Sequence, residues 1–402
     1  MRILEISNPK ALRQVMQEIK VDPYGIGIML PKAGFRLVRL EAVSNITANI
    51  LKQEMLSLGG DAAVARDCLT GKTKKTGCLL MGSLAQFNGL KEKLNRQPFG
   101  LDKLAQELNH VLANYQQEKF VLDLGRFKLR LQDGSACIMG IVNMTPDSFS
   151  GDGFYKVSGV RCQVSGAIEF AQQMVRDGAQ IIDVGGESSR PGAKPVSVKE
   201  EIRRTIPLIK ALAKKIKVPI SIDTYKSEVA KQALDNGAVM VNDITALRDA
   251  KLAKMISRYR AGVVLMHMLG RPQTMQKNPR YISLQDEIAG YLEKAIVRAQ
   301  EAGIGKDKII IDPGLGFGKT LEHNLGILRN LREFKTLGRP LMVGPSRKSF
   351  LGKILNVGPH DRVSGTVAAC VIAVENGANI VRVHDVKEVS QGLRIVKAAQ
   401  GR

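Results

Sequence analysis

The stretch PISIDTYKSEVAKQALDNGAVMVNDIT, residues 219–245, holds one complete repeat of the chain's layout. PISIDT (219–224) and MVNDIT (240–245) are short apolar runs that end in polar residues, and KSEVAKQALDNG between them has helical spacing with Gly237 as its stop. Runs that are apolar almost throughout are buried on both faces, and strands that alternate with helices form a parallel sheet. The same layout recurs at CIMGIVNMT (137–145), QIIDVGGES (180–188), VVLMHM (263–268), KIIIDPG (308–314), PLMVGPSR (340–347) and IVRVHD (380–385). Eight units in about 265 residues predict a (β/α)8 TIM barrel. An open doubly wound sheet is the structural alternative, but no G-x-G-x-x-G follows the first run.

Outward from the barrel, residues 1–118 mix strand-like pieces (RILEI, GIGIML, RLVRLEAV) with helical ones (ITANILKQEMLSLGG, LDKLAQELNHVLANYQQ). They predict a small α+β N-terminal domain without a chemical motif, and 119–402 the barrel. FVLDLGRFKLRLQDGSA (120–136) reads as a hairpin, with Asp133-Gly134 as its last turn, that covers the bottom of the barrel.

Composition narrows the function classes. With 402 residues, 44% of them apolar, the chain is globular, and no apolar run approaches the ~20 residues that span a bilayer. The N-terminus lacks the pattern of a secretory signal, so a cytoplasmic protein is expected, with no membrane partner. The five cysteines form no C-x-x-C pair and read as free thiols. A net charge of +22 raises nucleic acid as a partner, yet the bases are spread along the chain without a recognition motif. Nucleic acid is therefore not expected, whereas anionic small substrates suit a basic field.

Function is read from where the polar residues stand. Asn143, Glu187, Asp223, Asn242, His267, Asp312, Ser346 to Lys348 and His384 all fall at the C-terminal ends of their runs, the end of a barrel that carries chemistry. Singly, each is explained as a strand cap or turn residue; eight together are not. Arg190, in the loop GGESSRPGA (185–193), suits bidentate contact with diphosphate oxygens, although an exposed surface arginine is the bland alternative. IDPGLGFGKT (311–320) is no phosphate loop of the Walker type, because Pro313 stands where glycine is needed. Asp312 there matches two parallel N–H donors of an amino-pyrimidinone edge. GPSRKSFLG (344–352) opens a helix at Ser349 beside two cations, and Arg382 and His384, two apart on one strand, face one site. An Asn143 side-chain oxygen, joined by phosphate oxygens, is a reasonable ligand for Mg²⁺.

In order, NMTPDSFS, GGESSRPGA, SIDTYKSEVA, VNDITAL, LMHMLGRPQTMQ, IDPGLGFGK, GPSRKSFLG and VRVHDV resemble the signature segments of the dihydropteroate synthase family, over residues 120–402. The resemblance implies condensation of 6-hydroxymethyl-7,8-dihydropterin diphosphate with p-aminobenzoate. It implies that Asp223, Asn242, Asp312 and Lys348 bind the pterin edge, with Met266 packed near it and Arg382 stacked on its face. Asn143, Arg190, Arg382 and His384 would hold the diphosphate, Asn143 through Mg²⁺. Ser189, Pro191, Phe317, Lys348 and Ser349 would line the p-aminobenzoate pocket. Catalysis is expected to rest on Lys348, Arg382, His384 and Asp223, with Asp147 or Asp152 ordering the first loop. Ser189 replaces the family's usual Thr, and SGDG its commoner SDGG. The family also suggests a homodimer. The rival reading is a methyltetrahydrofolate:corrinoid methyltransferase on the same barrel, which would need no diphosphate site.

Overall fold

The structure is a computed structural model that describes residues 1–4, 6, 9–70, 72, 74–132, 134–145, 160–188 and 192–399, apart from the side chains of 69 and 160–163. It divides into two compact units, Met1–Leu112 and Ala113–Arg402. The division falls within the helix Leu101–Gln116, whereas the sequence reading placed its boundary after that helix, at 118.

The first unit contains α1 (Pro9–Glu18), α2 (Pro23–Ala33), β1 (Phe35–Ser44), α3 (Asn45–Ser57), β2 (Asp61–Val64), α4 (Arg66–Thr70), β3 (Lys75–Ser83), α5 (Leu84–Leu94) and most of α6 (Leu101–Gln116). Its strands form an antiparallel sheet in the order β1-β3-β2, and Leu51, Met55, Leu80, Phe87, Leu90 and Leu94 build the core beside it. Two strands expected from the sequence are absent among the described residues. GIGIML lies inside α2, because the Asp22 side chain accepts from the Tyr24 and Gly25 amides while Pro23 presets the first turn. RILEI forms no described strand. The alternation of Gly with Ile imitated a strand period, but capping decided the backbone.

In the second unit β4 (Lys119–Leu124) and β5 (Phe127–Gln132) form the expected hairpin, turning at Gly125. The barrel follows: β6 (Cys137–Asn143), β7 (Ile181–Gly185), β8 (Ile220–Asp223), β9 (Met240–Asp243), β10 (Gly262–Met266), β11 (Ile309–Asp312), β12 (Met342–Val343) and β13 (Ile380–Val383). These eight are parallel neighbours in the order β11-β10-β9-β8-β7-β6-β13-β12, and a bridge between Ile311 and Leu341 joins the two ends. The helices α7 (Val160–Arg176), α8 (Val198–Lys215), α9 (Ser227–Asp235), α10 (Ala250–Tyr259), α11 (Leu284–Glu301), α12 (Leu321–Arg329), α13 (Ser349–Leu355), α14 (Val363–Glu375) and α15 (Val386–Ala399) alternate with the strands.

One interior cluster explains the position of the site. Leu122, Leu124 and Leu131 of the hairpin pack against Cys137, Met139, Ile181, Met240, Val264, Ile310, Met342 and Ile380, so the hairpin closes one end of the barrel with an apolar plug. Side chains two apart on a strand share a face. The next inward positions are therefore Asp183 above Ile181, Asn242 above Met240, Met266 above Val264, Asp312 above Ile310 and Arg382 above Ile380. One step along the strands, the interior changes from apolar to charged.

Candidate active site

Arg382 organises this polar layer. Its Nε donates to Asp183 Oδ2 at 2.6 Å and its Nη2 to Asp223 Oδ2 at 2.7 Å, while Asn242 Nδ2 reaches Asp183 Oδ2 at 3.2 Å. Asp183 is fully buried and Asn242 nearly so. Burial pushes the Asp223 carboxyl up to about 7, against the lowering by Arg382, and the two flanking carboxylates hold the guanidinium above its ordinary value. Asp183 Oδ1, Ser221 Oγ and Asn242 Oδ1 are buried and have no partner among the described residues. Unsatisfied polar atoms at this depth cost stability, and their clustering in one layer marks a seat for a polar ligand.

Across the layer stands Asp312, 4% exposed, whose Oδ1 accepts from the Gly314 amide at 2.7 Å. Burial raises its carboxyl above the usual range, opposed by the charge of Lys348. Lys348 Nζ donates to the Leu315 carbonyl and lies 4.6 Å from the centroid of the Phe317 ring. Burial brings its ammonium down to about 8, against the pull of Asp312. Met266 joins Ile244, Met268 and Met275 in an apolar cluster against which Phe317 and Tyr225 pack. Ser349 is exposed at the start of α13.

The β11–α12 loop can take this path because Gly314, Gly316 and Gly318 have φ of 71°, 78° and 66°. A Cβ on Gly314 would stand 1.9 Å from the carbonyl oxygen of His267. Gly314→Ala is expected to destabilise the fold by about 2–4 kcal/mol through strain and overpacking. Thermal unfolding measures this, and an unchanged midpoint would refute the close approach.

His384 lies at the rim. Its Nδ1 is 3.0 Å from Ser346 Oγ, which also accepts from the His384 amide at 3.2 Å, and its Nε2 is 3.5 Å from Asn143 Nδ2. The Asn143 side-chain oxygen faces Gly185, where a Cβ would come within 3.1 Å of it. Beside Ser346, Arg347 pairs with Asp385 through Nε at 3.1 Å.

The structure thus brings Asn143, Asp223, Asn242, Met266, Asp312, Phe317, Lys348, Arg382 and His384 to one end of the barrel. Ser189, Arg190 and Pro191, with Asp147 and Asp152, lie outside the described residues. Glu187 does not enter the layer: with Glu201 it binds Lys226, and it accepts from Tyr225 Oη at 3.0 Å. Asp183 is the inward carboxylate of β7, a residue sequence reasoning missed; counting two from Ile181 along the strand would have found it. Lys319 was also missed, because a lysine in a glycine-rich loop gives no sign of being buried.

The polar layer lies at the strand ends of a closed barrel, the end at which barrel enzymes carry their chemistry. The model of the family described as "Pterin binding enzyme" matches residues 139–384, and the chain belongs to that family. Within it, the chain is placed among the dihydropteroate synthases. The dihydropteroate synthase of Escherichia coli (strain K12) is 46% identical over 261 residues, 65% of this chain and 90% of the relative. A dihydropteroate synthase of Xanthomonas albilineans solved with 4-aminobenzoic acid is 38% identical, with a TM-score of 0.65, covering 71% of this chain and 99% of that one. A probable bifunctional folylpolyglutamate synthase/dihydropteroate synthase of Halobacterium salinarum is 35% identical over 392 residues, 96% of this chain and 46% of the relative. That last alignment takes in nearly all of the first unit, so sequence like the N-terminal unit recurs in that relative. No helix among the described residues is long and apolar enough to cross a membrane.

Proposed function

We propose that the polar layer seats the pterin of 6-hydroxymethyl-7,8-dihydropterin diphosphate, and that p-aminobenzoate attacks its methylene carbon above the Phe317 ring. The observation that carries this reading is the set of partnerless buried atoms, Asn242 Oδ1, Asp183 Oδ1 and Ser221 Oγ, in the same polar layer as the buried Asp312. A planar heterocycle rich in N–H donors satisfies such acceptors, and Asp312 and Asp223 match its amino-pyrimidinone edge. Met266 supplies an apolar wall, and the Arg382 guanidinium, held flat by two carboxylates, presents a face for stacking.

The reaction breaks the C–O bond to diphosphate and forms a C–N bond to the aryl amine, which releases a proton to solvent. Arg382, His384 and, from the first loops, Arg190 would neutralise the departing diphosphate; stabilising charge where it develops is the main catalytic lever. Lys348 and Ser349 would receive the p-aminobenzoate carboxylate, with Ser189 and Pro191 beside it. Water must be kept from a cationic methylene carbon, and Phe317 with the Met266 cluster makes that side of the site apolar.

Asn143 fits a Mg²⁺ ion in one specific sense. It offers a single neutral oxygen near the rim, and no group of three His, Cys, Asp or Glu able to hold a metal occurs among the described residues. Mg²⁺ keeps several waters and takes its remaining ligands from substrate phosphates, so one protein oxygen suffices. When bound, the ion would add charge neutralisation to the leaving group.

The decisive experiment supplies purified protein with Mg²⁺ and both substrates and follows dihydropteroate and diphosphate. Equal amounts of the two products support the reading, and no product from folded protein sinks it. We place the enzyme in the cytoplasm, a reducing compartment suited to the free buried thiols of Cys68, Cys78, Cys137 and Cys370. A homodimer through α13–α15 would cover Ile354, Leu355, Ile372 and Ile395, which are 42–71% exposed. Sedimentation of the same preparation should then report two chains per particle.

A further inference from the structure

The β11–α12 loop is fastened by four successive carbonyls, each bound by a different side chain. Lys348 Nζ donates to Leu315 O, Gln276 Nε2 to Gly316 O at 2.7 Å, Lys319 Nζ to Phe317 O at 3.1 Å and Tyr281 Oη to Gly318 O at 2.9 Å. Lys319 differs from the other three in its setting. It is 3% exposed, and its ammonium has one further partner, His267 Nδ1, at 2.9 Å. No carboxylate among the described residues bonds to it. A buried ammonium without an ion pair is costly, so its presence calls for a compensating role.

The imidazole is the neutral member of the pair. Burial and the Lys319 charge push His267 down to about 2, so the imidazole is neutral. Its Nδ1 lone pair accepts from the ammonium, which leaves the ring proton on Nε2. Burial lowers Lys319 to about 7, with Asp312 opposing. The ring is itself braced, 4.9 Å from Tyr291 in an edge-on contact and 6.0 Å from Tyr281.

We propose that the buried Lys319–His267 pair is a positioning device for the p-aminobenzoate pocket, holding the Phe317 carbonyl so that the Phe317 ring stays beneath the Lys348 ammonium. Gly316 and Gly318, both at positive φ, flank Phe317, and glycine on each side leaves that peptide free to rotate unless its carbonyl is anchored. Lys319 and His267 are both buried, 3% and 4% exposed, and in this arrangement they act through Phe317. The inference rests on the reading of Phe317 and Lys348 as part of the p-aminobenzoate pocket.

The test is steady-state kinetics of full-length Lys319→Met, Tyr281→Phe and Phe317→Ala with each substrate varied in turn. For Lys319→Met the KM for p-aminobenzoate should rise about tenfold, the effect of losing the buried hydrogen bond that anchors the Phe317 carbonyl, while kcat and the KM for the pterin diphosphate stay within about twofold. An unchanged p-aminobenzoate KM, or an equal rise in both, overturns the proposal, because general loosening would not discriminate between substrates. Should Lys319→Met fail to fold, Tyr281→Phe removes only one hydroxyl from the adjacent Gly318 carbonyl and should raise the same KM about threefold; no change overturns the proposal. Phe317→Ala separates the two readings. If it leaves the p-aminobenzoate KM unaltered, the pocket assignment and the proposal both fall; if it raises that KM while Lys319→Met does not, only the positioning role falls.

Discussion

Arg382→Met should lower kcat/KM by about 10²–10³, the usual cost of removing a donor aimed at developing negative charge. It should also destabilise the fold, because Asp183 and Asp223 both bond the guanidinium and would be left facing one another without a cation. Breaking a buried pair by removing one partner costs about 3–5 kcal/mol. The pH dependence of that loss identifies its cause. In the wild type the Asp223 carboxyl is held up to about 7 from an ordinary 3.8. Between those values the folded state binds more protons than the unfolded state, so this group's stabilisation is present at acid pH and fades as pH rises through 7. Without Arg382 the Asp223 carboxyl is pushed further up, and the deficit in melting temperature should be larger at pH 8 than at pH 5. A deficit independent of pH would mean that the two carboxylates are not what the arginine compensates.

Lys348→Met should be comparably damaging to turnover, for a different reason. The ammonium serves Asp312, the Leu315 carbonyl and the Phe317 ring at once, so its loss removes a substrate contact and loosens the loop that lines the pocket. A fall of about 10³ in kcat/KM, with both KM values raised, is expected where a charge-assisted contact and its supporting shell are lost together. Here the linkage has the opposite sign. The folded value of about 8 lies below the ordinary 10.5, so between them the unfolded state binds more protons and wild-type stability gains with rising pH. Lys348→Met should lack that gain between pH 8 and 10. Wild-type kcat/KM should fall above pH 8 as the ammonium titrates, and the variant's residual activity should not show that limb. Calorimetry and a pH–rate profile measure the two effects, and a variant that keeps the alkaline limb would place its origin elsewhere.

How far the sequence led can be judged from single residues. Asn242 and Asp312 were legible because each ends an apolar run, and a parallel barrel puts all such ends at one mouth, whereas Arg382 was legible because it stands two residues before His384 on one strand. Asp183 ends no run: it sits inside QIIDVGGES two residues before the strand gives way to the loop, and Glu187 drew attention in its place. GIGIML was misread because six residues of Gly and apolar side chains satisfy a strand period and a helix equally, and only the Asp22 cap decided between them.

By itself the sequence determined the eight strand-helix repeats, the hairpin before them and the set of polar types gathered at the strand ends, since these follow from periodicities of 2 and 3.6 along one chain. Tertiary structure alone decided which polar atoms meet. That Arg382 bridges Asp183 and Asp223, separated by 199 and 159 residues from it, and that Lys319 is buried against His267, 52 residues away, are consequences of barrel closure. No local pattern encodes them, because the distance between two side chains on different strands depends on sheet order and register rather than on the residues beside either one.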